Sequence, residues 1–176
     1  MKKILIICLI LLSYKGNSQD NRGYIVSVNE QAPTFTIPLN KNEIFDLEKH
    51  KGKVIMIQFT ASWCSVCMKE MPFIEEEIWQ QHQTNNEFVL IALAKDTEKR
   101  PQAEEQIQFM IDRTGVGYPI VRDFHSEIFH LFAEKNAGVT RNIIIDQNGK
   151  IAFLTRLFEK NEFDEMKAVI NELLSK

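Results

Sequence analysis

Two cysteines separated by two residues form the segment of the sequence best suited to chemistry. Cys64 and Cys67 lie within FTASWCSVCMKEMP, residues 59–72, directly after Trp63. A pair at this spacing can supply half of a zinc site, close a small structural loop, or exchange electrons as a dithiol and a disulfide. The third cysteine of the chain, Cys8, lies in an apolar stretch near the beginning.

The supply of other ligands argues against a structural zinc site at this pair. Such a site needs four ligands, and the two cysteines provide two. The histidines do not lie at ligand spacing from one another or from the cysteines; they are His50, His82, His125 and His130. A purely structural disulfide is also unfavourable, because closing so short a loop removes little entropy from the unfolded chain. We therefore expect a redox pair, with no metal and no cofactor.

The elements around the pair support this interpretation. The apolar run KVIMIQF, residues 53–59, predicts a strand buried on both faces. A helical pattern follows Cys64 and is predicted to kink at Pro72 and to end near residues 85–86. Cys64 is thus expected at the N-terminus of a helix, where the helix dipole and free N–H groups stabilise a thiolate. Cys67 would lie one turn further on, where it can resolve a mixed disulfide.

The rest of the chain predicts further elements of an α/β domain. Residues 88–94 form a second apolar strand, and a helix is expected from Pro101 to about Thr114. YPIVRD predicts a short strand and HSEIFHLFA a short helix. Near the end, NIIID and KIAFLT flank Asn148 and Gly149 as a hairpin, and Asn161 is the expected N-cap of the last helix. A small hairpin is predicted ahead of residue 53.

The first 18 residues have the features of a cleaved secretory signal peptide. Lys2 and Lys3 precede nine apolar residues, 4–12, and small residues end at Ser18. Nine residues are too few to span a bilayer, which takes about 20, so no stable membrane anchor is expected after cleavage. Residues 19–176 would then form a single domain in a periplasmic or other extracytoplasmic, oxidising compartment. Cleavage would remove three lysines and Cys8, leaving a formal charge of −6 and two cysteines. This charge gives no support for nucleic-acid binding.

These motifs resemble the TlpA/ResA-type thioredoxin-like proteins, which are exported thiol–disulfide oxidoreductases, many of them serving cytochrome c maturation. The resemblance covers roughly residues 24–174 and rests on three segments: APTFTIPL, KGKVIMIQFTASWCSVCMKEMP and IIIDQNGKI. It implies a thioredoxin-like α/β fold, in which helices flank a central mixed sheet, with an N-terminal hairpin and a central strand–helix insertion. It also implies that Cys64 and Cys67 are the redox pair and that Glu70 is the active-site glutamate.

The resemblance further implies a mechanism and partners. Cys64 would attack a disulfide of a client protein, and Cys67 would resolve the mixed disulfide, with Glu70 exchanging its proton. A membrane thiol reductant of the DsbD/CcdA type would then restore the dithiol. The direction of electron flow and the identity of the client stay open.

The sequence departs from the family pattern at three places. Gln58 occupies the position at which thioredoxins carry a buried acid, and Ser65-Val66 replaces Gly-Pro between the cysteines. Thr140 stands where the family has a cis-proline, in VTRNIIID instead of a PTTFLID-like segment. A cis bond before a non-proline residue costs about 3 kcal/mol, so a trans peptide is expected between Val139 and Thr140.

Four further residues are predicted to dock substrate or tune the nucleophile. In the family the proline loop faces the cysteines, which assigns this role to Val139, Thr140 and Arg141. Trp63 either packs in the core or flanks the nucleophile, and both interpretations hold together. Arg141 is expected either as a strand-edge arginine in water, which is slightly favoured, or as a cation near Cys64. Glu70 is either the proton-exchanging acid or a solvated surface residue.

Two other classes of function remain as alternatives. A peroxiredoxin-like thiol peroxidase is compatible with the layout and with TRNIIID, although the positions of its expected Thr or Ser and Pro hold Ala61 and Ile57. A non-catalytic copper-binding chaperone would use the two thiols as ligands, but the CxxxC spacing and a partner histidine are missing.

Overall fold

The computed structural model describes residues 22–176. The predicted signal peptide, residues 1–18, and Cys8 lie outside the described residues. Within residues 22–176, no helix is both long enough and apolar enough to cross a membrane.

A five-stranded mixed sheet forms the centre of the molecule, and a separate two-stranded hairpin precedes it. The hairpin consists of β1 (Thr36–Asn40) and β2 (Glu43–Asp46). The sheet consists of β3 (Val54–Thr60), β4 (Phe88–Lys95), β5 (Ile120–Asp123), β6 (Arg141–Ile145) and β7 (Ile151–Leu154), in the order β5-β4-β3-β6-β7. The strands β4 and β5 run parallel to their neighbours, whereas β6 pairs antiparallel with both β3 and β7. The predicted central mixed sheet and both predicted hairpins are therefore present.

The helices begin and end close to the predicted residues, with three differences. They are α1 (Ser65–Ile74), α2 (Gln80–His82), α3 (Glu104–Thr114), α4 (Phe129–Phe132) and α5 (Lys160–Leu174). The helix predicted to begin at Pro101 begins at Glu104, with Ala103 as its N-cap. The helix after the cysteines ends at His82, a few residues before the predicted end. The last helix begins at Lys160 with Glu159 as its N-cap, so the prediction of Asn161 as the N-cap is wrong.

A π-helical segment joins α1 and α2. Pro72 lies inside α1, and the π-helical segment Glu75–Trp79 follows it directly. Since proline cannot donate a backbone hydrogen bond, regular α-helical pairing is interrupted at Pro72. The Glu75 N–H bonds to the carbonyls of both Met71 and Pro72 at this change of helical pitch. The predicted disturbance at Pro72 thus takes the form of a wider turn that follows the proline.

The central strand β3 explains why both faces of the sheet are covered. Every residue of β3 is buried. Ile55, Ile57 and Phe59 pack into the core that also contains Cys64 and Cys67. Val54 and Met56 pack on the opposite face, in the core to which α1, α3 and α5 contribute. Because successive strand residues alternate between faces, a continuous apolar run fills both cores.

Candidate functional site

The redox pair lies where β3 ends and α1 begins. Cys64 is the N-cap of α1, with extended backbone angles of φ −93° and ψ 101°, and its Sγ accepts a hydrogen bond from the Cys67 N–H at 3.2 Å. The two cysteines form a disulfide, with their Cα atoms 5.3 Å apart. An N-cap sulfur that already accepts a backbone N–H is well placed to carry negative charge once the disulfide is reduced.

Burial distinguishes the two cysteines. Cys64 is 8% exposed, whereas Cys67 is 0% exposed. Cys64 is therefore the less buried of the two cysteines and the one that an incoming disulfide would approach first, while Cys67 is fully enclosed. This asymmetry fits a nucleophile and a resolving cysteine.

Thr140 lies directly against the disulfide. Its Oγ1 is 3.2 Å from the Sγ of Cys64 and 3.2 Å from the Sγ of Cys67. The described residues contain no cis peptide bond, so the expected trans peptide between Val139 and Thr140 is confirmed. Val139 and Thr140 are both buried, and Val139 packs into the core that holds the cysteines. The loop thus faces the redox pair as the resemblance implies, but it presents a hydroxyl there.

Arg141 corrects a prediction. It is 1% exposed, so the expectation of a strand-edge arginine in water is wrong. Its Nε donates to the carbonyl of Gly138 at 2.9 Å, and its Nη2 donates to the carbonyl of Arg22 at 2.7 Å. The guanidinium also lies 4.4 Å from the centre of the Tyr24 ring. The guanidinium thus lies against Arg22 and Tyr24, and none of its hydrogen bonds among residues 22–176 goes to a sulfur.

Glu70 is a buried acid. It is 1% exposed, which rules out the solvated surface position. Burial raises the pKa of its carboxyl to about 8, so Glu70 is mostly protonated at neutral pH. Its Oε1 accepts a hydrogen bond of 2.7 Å from the Nδ2 of Asn142. Glu70 lies three residues after Cys67 in α1, and its pKa lies close to that of a free thiol, about 8.5. Matched values of this kind suit proton exchange.

Sequence reasoning missed the polar network that surrounds Glu70. Asn142 pairs with Gln58 across β6 and β3, and Gln58 accepts a hydrogen bond of 3.0 Å from the Tyr118 hydroxyl. Asn142 also donates to the Thr155 hydroxyl at 2.9 Å. Gln58 and Asn142 are polar residues inside otherwise apolar strands, and this interruption is the signal that could have indicated the network.

Trp63 forms the rim of the site. Its side chain is 41% exposed, and the guanidinium of Arg100 lies 4.5 Å from its ring centre. Trp63 therefore flanks the nucleophile more than it fills the core.

Among residues 22–176, no group of three or more His, Cys, Asp and Glu side chains is arranged to hold a metal ion. The chemistry that these side chains can perform is exchange between thiols and disulfides.

Comparison with known proteins agrees with this geometry. The family model named Redoxin matches residues 27–170. A solved structure described as a putative protein disulfide isomerase from Bacteroides thetaiotaomicron is 45% identical to the chain, with a TM-score of 0.80, and the match covers 88% of this chain and 94% of that one.

Two curated relatives are more distant. Thiol-disulfide oxidoreductase ResA from Bacillus thuringiensis is 24% identical over 153 residues, which cover 83% of this chain and 82% of the relative. Thioredoxin-like protein YneN from Bacillus subtilis is 25% identical over 122 residues, which cover 67% of this chain and 69% of the relative. The predicted resemblance and the thioredoxin-like fold are thus confirmed. With its Cys64–Cys67 pair at the start of α1, the chain belongs to the Redoxin family and is a thiol–disulfide oxidoreductase of the thioredoxin-like type.

Proposed function

We propose that this protein is exported and reduces disulfides of client proteins outside the cytoplasm. The main support for Cys64 as the attacking cysteine is the unequal burial of the pair: Cys64 is 8% exposed and Cys67 is 0% exposed. An incoming disulfide would approach Cys64 first, and Cys67 remains in position to resolve the intermediate. The Thr140 hydroxyl, at 3.2 Å from both sulfurs, supports polar stabilisation of this exchange.

The proposed reaction takes place in two steps. The Cys64 thiolate attacks one sulfur of the client disulfide, forms a mixed disulfide, and releases the other client sulfur as a thiolate. Cys67 loses its proton and attacks the Cys64 sulfur, which releases the second client thiolate and leaves the Cys64–Cys67 disulfide. Two electrons have then passed from the protein to the client. Glu70, one turn beyond Cys67, is proposed to exchange the Cys67 proton.

Export is supported by the sequence of residues 1–18. Lys2, Lys3 and the apolar residues 4–12 suit a signal peptide with cleavage after Ser18. In an oxidising compartment the disulfide product would accumulate, so the cycle needs a source of electrons. We propose a membrane thiol reductant of the DsbD/CcdA type as this source, and disulfide-bearing proteins, among them those of cytochrome c maturation, as clients. Cell fractionation followed by N-terminal sequencing tests export and cleavage: recovery in the cytoplasmic fraction would contradict export, and an exported chain that still begins at Met1 would contradict cleavage after Ser18.

Reduction of insulin tests the activity. The reduced protein should reduce insulin disulfides much faster than it consumes hydrogen peroxide, and a Cys67→Ser variant should accumulate mixed disulfides through Cys64. A redox titration of the pair against glutathione tests direction, because a reductase requires a potential well below that of glutathione. Dominant peroxide turnover would instead assign the protein to the thiol peroxidases, and tight Cu(I) binding without exchange activity would assign it to the copper chaperones.

A further inference from the structure

A groove lies beside the nucleophile, between the first turns of α1 and the second half of α3. The residues on both sides of Cys64 in the chain, Trp63 and Ser65, contribute to its lining. Lys69 of α1 and Phe109 and Arg113 of α3 line it further along. Its volume is about 390 Å³, which is enough for a short stretch of polypeptide. Anything held in this groove therefore contacts the two residues that flank Cys64 in the chain.

Two large aromatic side chains of the groove are exposed. Trp63 is 41% exposed and Phe109 is 50% exposed. Scattered exposed aromatics are ordinary on a protein surface, but here both border the same groove next to the nucleophile. Aromatic residues in such positions commonly anchor a partner, because they bury a large area and lose little conformational entropy.

The charge of the groove is opposite in sign to that of the whole chain. The chain has a formal net charge of −3, yet the groove is lined by Lys69 and Arg113 and by no carboxylate. Arg100 adds a third cation over the Trp63 ring. None of these three cations forms an ion pair with another of the residues 22–176, whereas Lys160 and Lys167 pair with Glu77 and Asp164. A partner can therefore supply the missing negative charge.

We propose that this groove docks the client polypeptide, and that preferred clients carry an acidic side chain close to the cystine being reduced. The inference rests on the proposed function and specifies its substrate class. The client backbone lies across Trp63 and Phe109 with its cystine at Cys64, and its carboxylate pairs with Lys69 or Arg113. Opposite charges of this kind act on encounter and orientation more than on the chemical step.

The test uses two peptide substrates with the same internal disulfide, flanked by Asp in one and by Lys in the other. The reduced protein should show a kcat/KM about tenfold higher for the acidic peptide, since its two flanking Asp side chains can pair with Lys69 and Arg113 and each exposed ion pair contributes about threefold on average. The preference should fall as salt concentration rises. In the double variant Lys69→Glu, Arg113→Glu the ratio of the two kcat/KM values should invert. Because the ratio compares two substrates of one enzyme, any effect of the variant on the nucleophile cancels.

The matched control is Lys41→Glu, Lys150→Glu, which changes the net charge equally at exposed lysines outside the groove. Its ratio should equal that of the unmodified protein. Equal reduction of both peptides by the unmodified protein, or an equal effect of both double variants, would overturn the docking inference and leave the proposed function intact. Failure to reduce either peptide would instead overturn the proposed function. A preference for oxidised glutathione over the acidic peptide would also overturn the inference, since the groove would then bind a small anionic disulfide and not a polypeptide.

Discussion

The hydroxyl oxygen of Thr140 lies 3.2 Å from the sulfur of Cys64 and at the same distance from the sulfur of Cys67. One side chain therefore contacts both atoms of the bond that is made and broken. In the dithiol state this hydroxyl can donate to the Cys64 thiolate while it accepts from the Cys67 thiol. A proline at this position, as in the resembling family, offers neither a hydroxyl nor a backbone donor.

Removing this hydroxyl should change the nucleophile. In Thr140→Val, which keeps the size of the side chain, the Cys64 pKa should rise, because a hydrogen bond to the thiolate is lost. A less stable thiolate disfavours the dithiol form, so the disulfide should become less oxidising. Thiolate absorbance in the ultraviolet as a function of pH measures the first effect, and titration against glutathione measures the second. Thr140→Ser is the control that retains the hydroxyl, and identical titrations of the Val and Ser variants would show that the hydroxyl does not tune Cys64.

The two cysteines should differ in reactivity. Under limiting iodoacetamide at neutral pH, the reduced protein should be alkylated first at Cys64, because this sulfur is the more exposed and caps α1. Mass spectrometry of the digested protein gives the order of modification. Preferential labelling of Cys67 would reverse the assignment of nucleophile and resolving cysteine.

Glu70 should make stability depend on pH. Burial raises the carboxyl pKa from 4.5 to about 8, so the folded state holds its proton over a range in which the unfolded state has released it. The stability due to this proton is complete below about pH 4.5 and is lost as pH rises through about 8. Glu70→Gln mimics the protonated form, so its free energy of unfolding should fall less than that of the unmodified protein over this range. The difference should be on the order of a few kcal/mol.

Urea unfolding of the two proteins across this range of pH measures the difference. Glu75→Gln is a suitable control, since Glu75 is partly exposed and lies in the same helical region. Parallel pH profiles for the unmodified protein and Glu70→Gln would contradict the raised pKa. If Glu70 also serves the resolving step, Glu70→Gln should prolong the lifetime of the mixed disulfide at neutral pH.

Arg141 should contribute to stability and not to thiolate chemistry. Arg141→Ala removes the hydrogen bonds that its guanidinium donates to the carbonyls of Gly138 and Arg22, which should cost about 2 to 3 kcal/mol of unfolding free energy. The titration of the Cys64 thiol should not change, because the guanidinium contacts the carbonyls of Gly138 and Arg22 and the Tyr24 ring, and not a sulfur. Arg113→Ala, at an exposed arginine, should change stability by about 0.5 kcal/mol or less. A shifted Cys64 pKa in Arg141→Ala would return Arg141 to the role of a cation near the nucleophile.

Local sequence patterns predicted the sheet, the position of Cys64 and the presence of Thr140 beside the sulfurs. Each of these follows from a feature within a short window: an apolar run, a helix start, or a motif already associated with a loop position. Glu70 was left undecided between two environments. Its spacing from Cys67, Met71 and Ile74 places it on their buried stripe, so helical periodicity alone could have decided the matter.

Arg141 and Asn142 were less accessible to sequence reasoning. The Arg141 guanidinium bonds to a carbonyl 119 residues away in the sequence, and the Tyr24 hydroxyl bonds to the carbonyl of Asn142 across 118 residues. Such contacts form because residues 22 and 24 pack against the start of β6, and no local sequence pattern predicts this long-range packing. Arg141 begins β6 next to a loop, a position that favours exposure by sequence alone, yet the contacts with the Tyr24 region bury it.

The π-helical segment Glu75–Trp79 makes this part of the chain sensitive to length rather than to composition. Before it, Glu70 must point at Asn142; at its end, the Trp79 ring packs against Tyr118, with ring centres 6.5 Å apart. A π-helical turn holds about one residue more than an α-helical turn, because its hydrogen bonds span five residues instead of four. Deleting one residue from the segment should therefore restore α-helical pairing and leave Glu70 facing Asn142, whereas an inserted residue should rotate the cysteine-bearing turns by about 100° relative to Trp79. Exposed positions such as Glu76 should accept many substitutions, while a single-residue insertion there should withdraw Glu70 from Asn142.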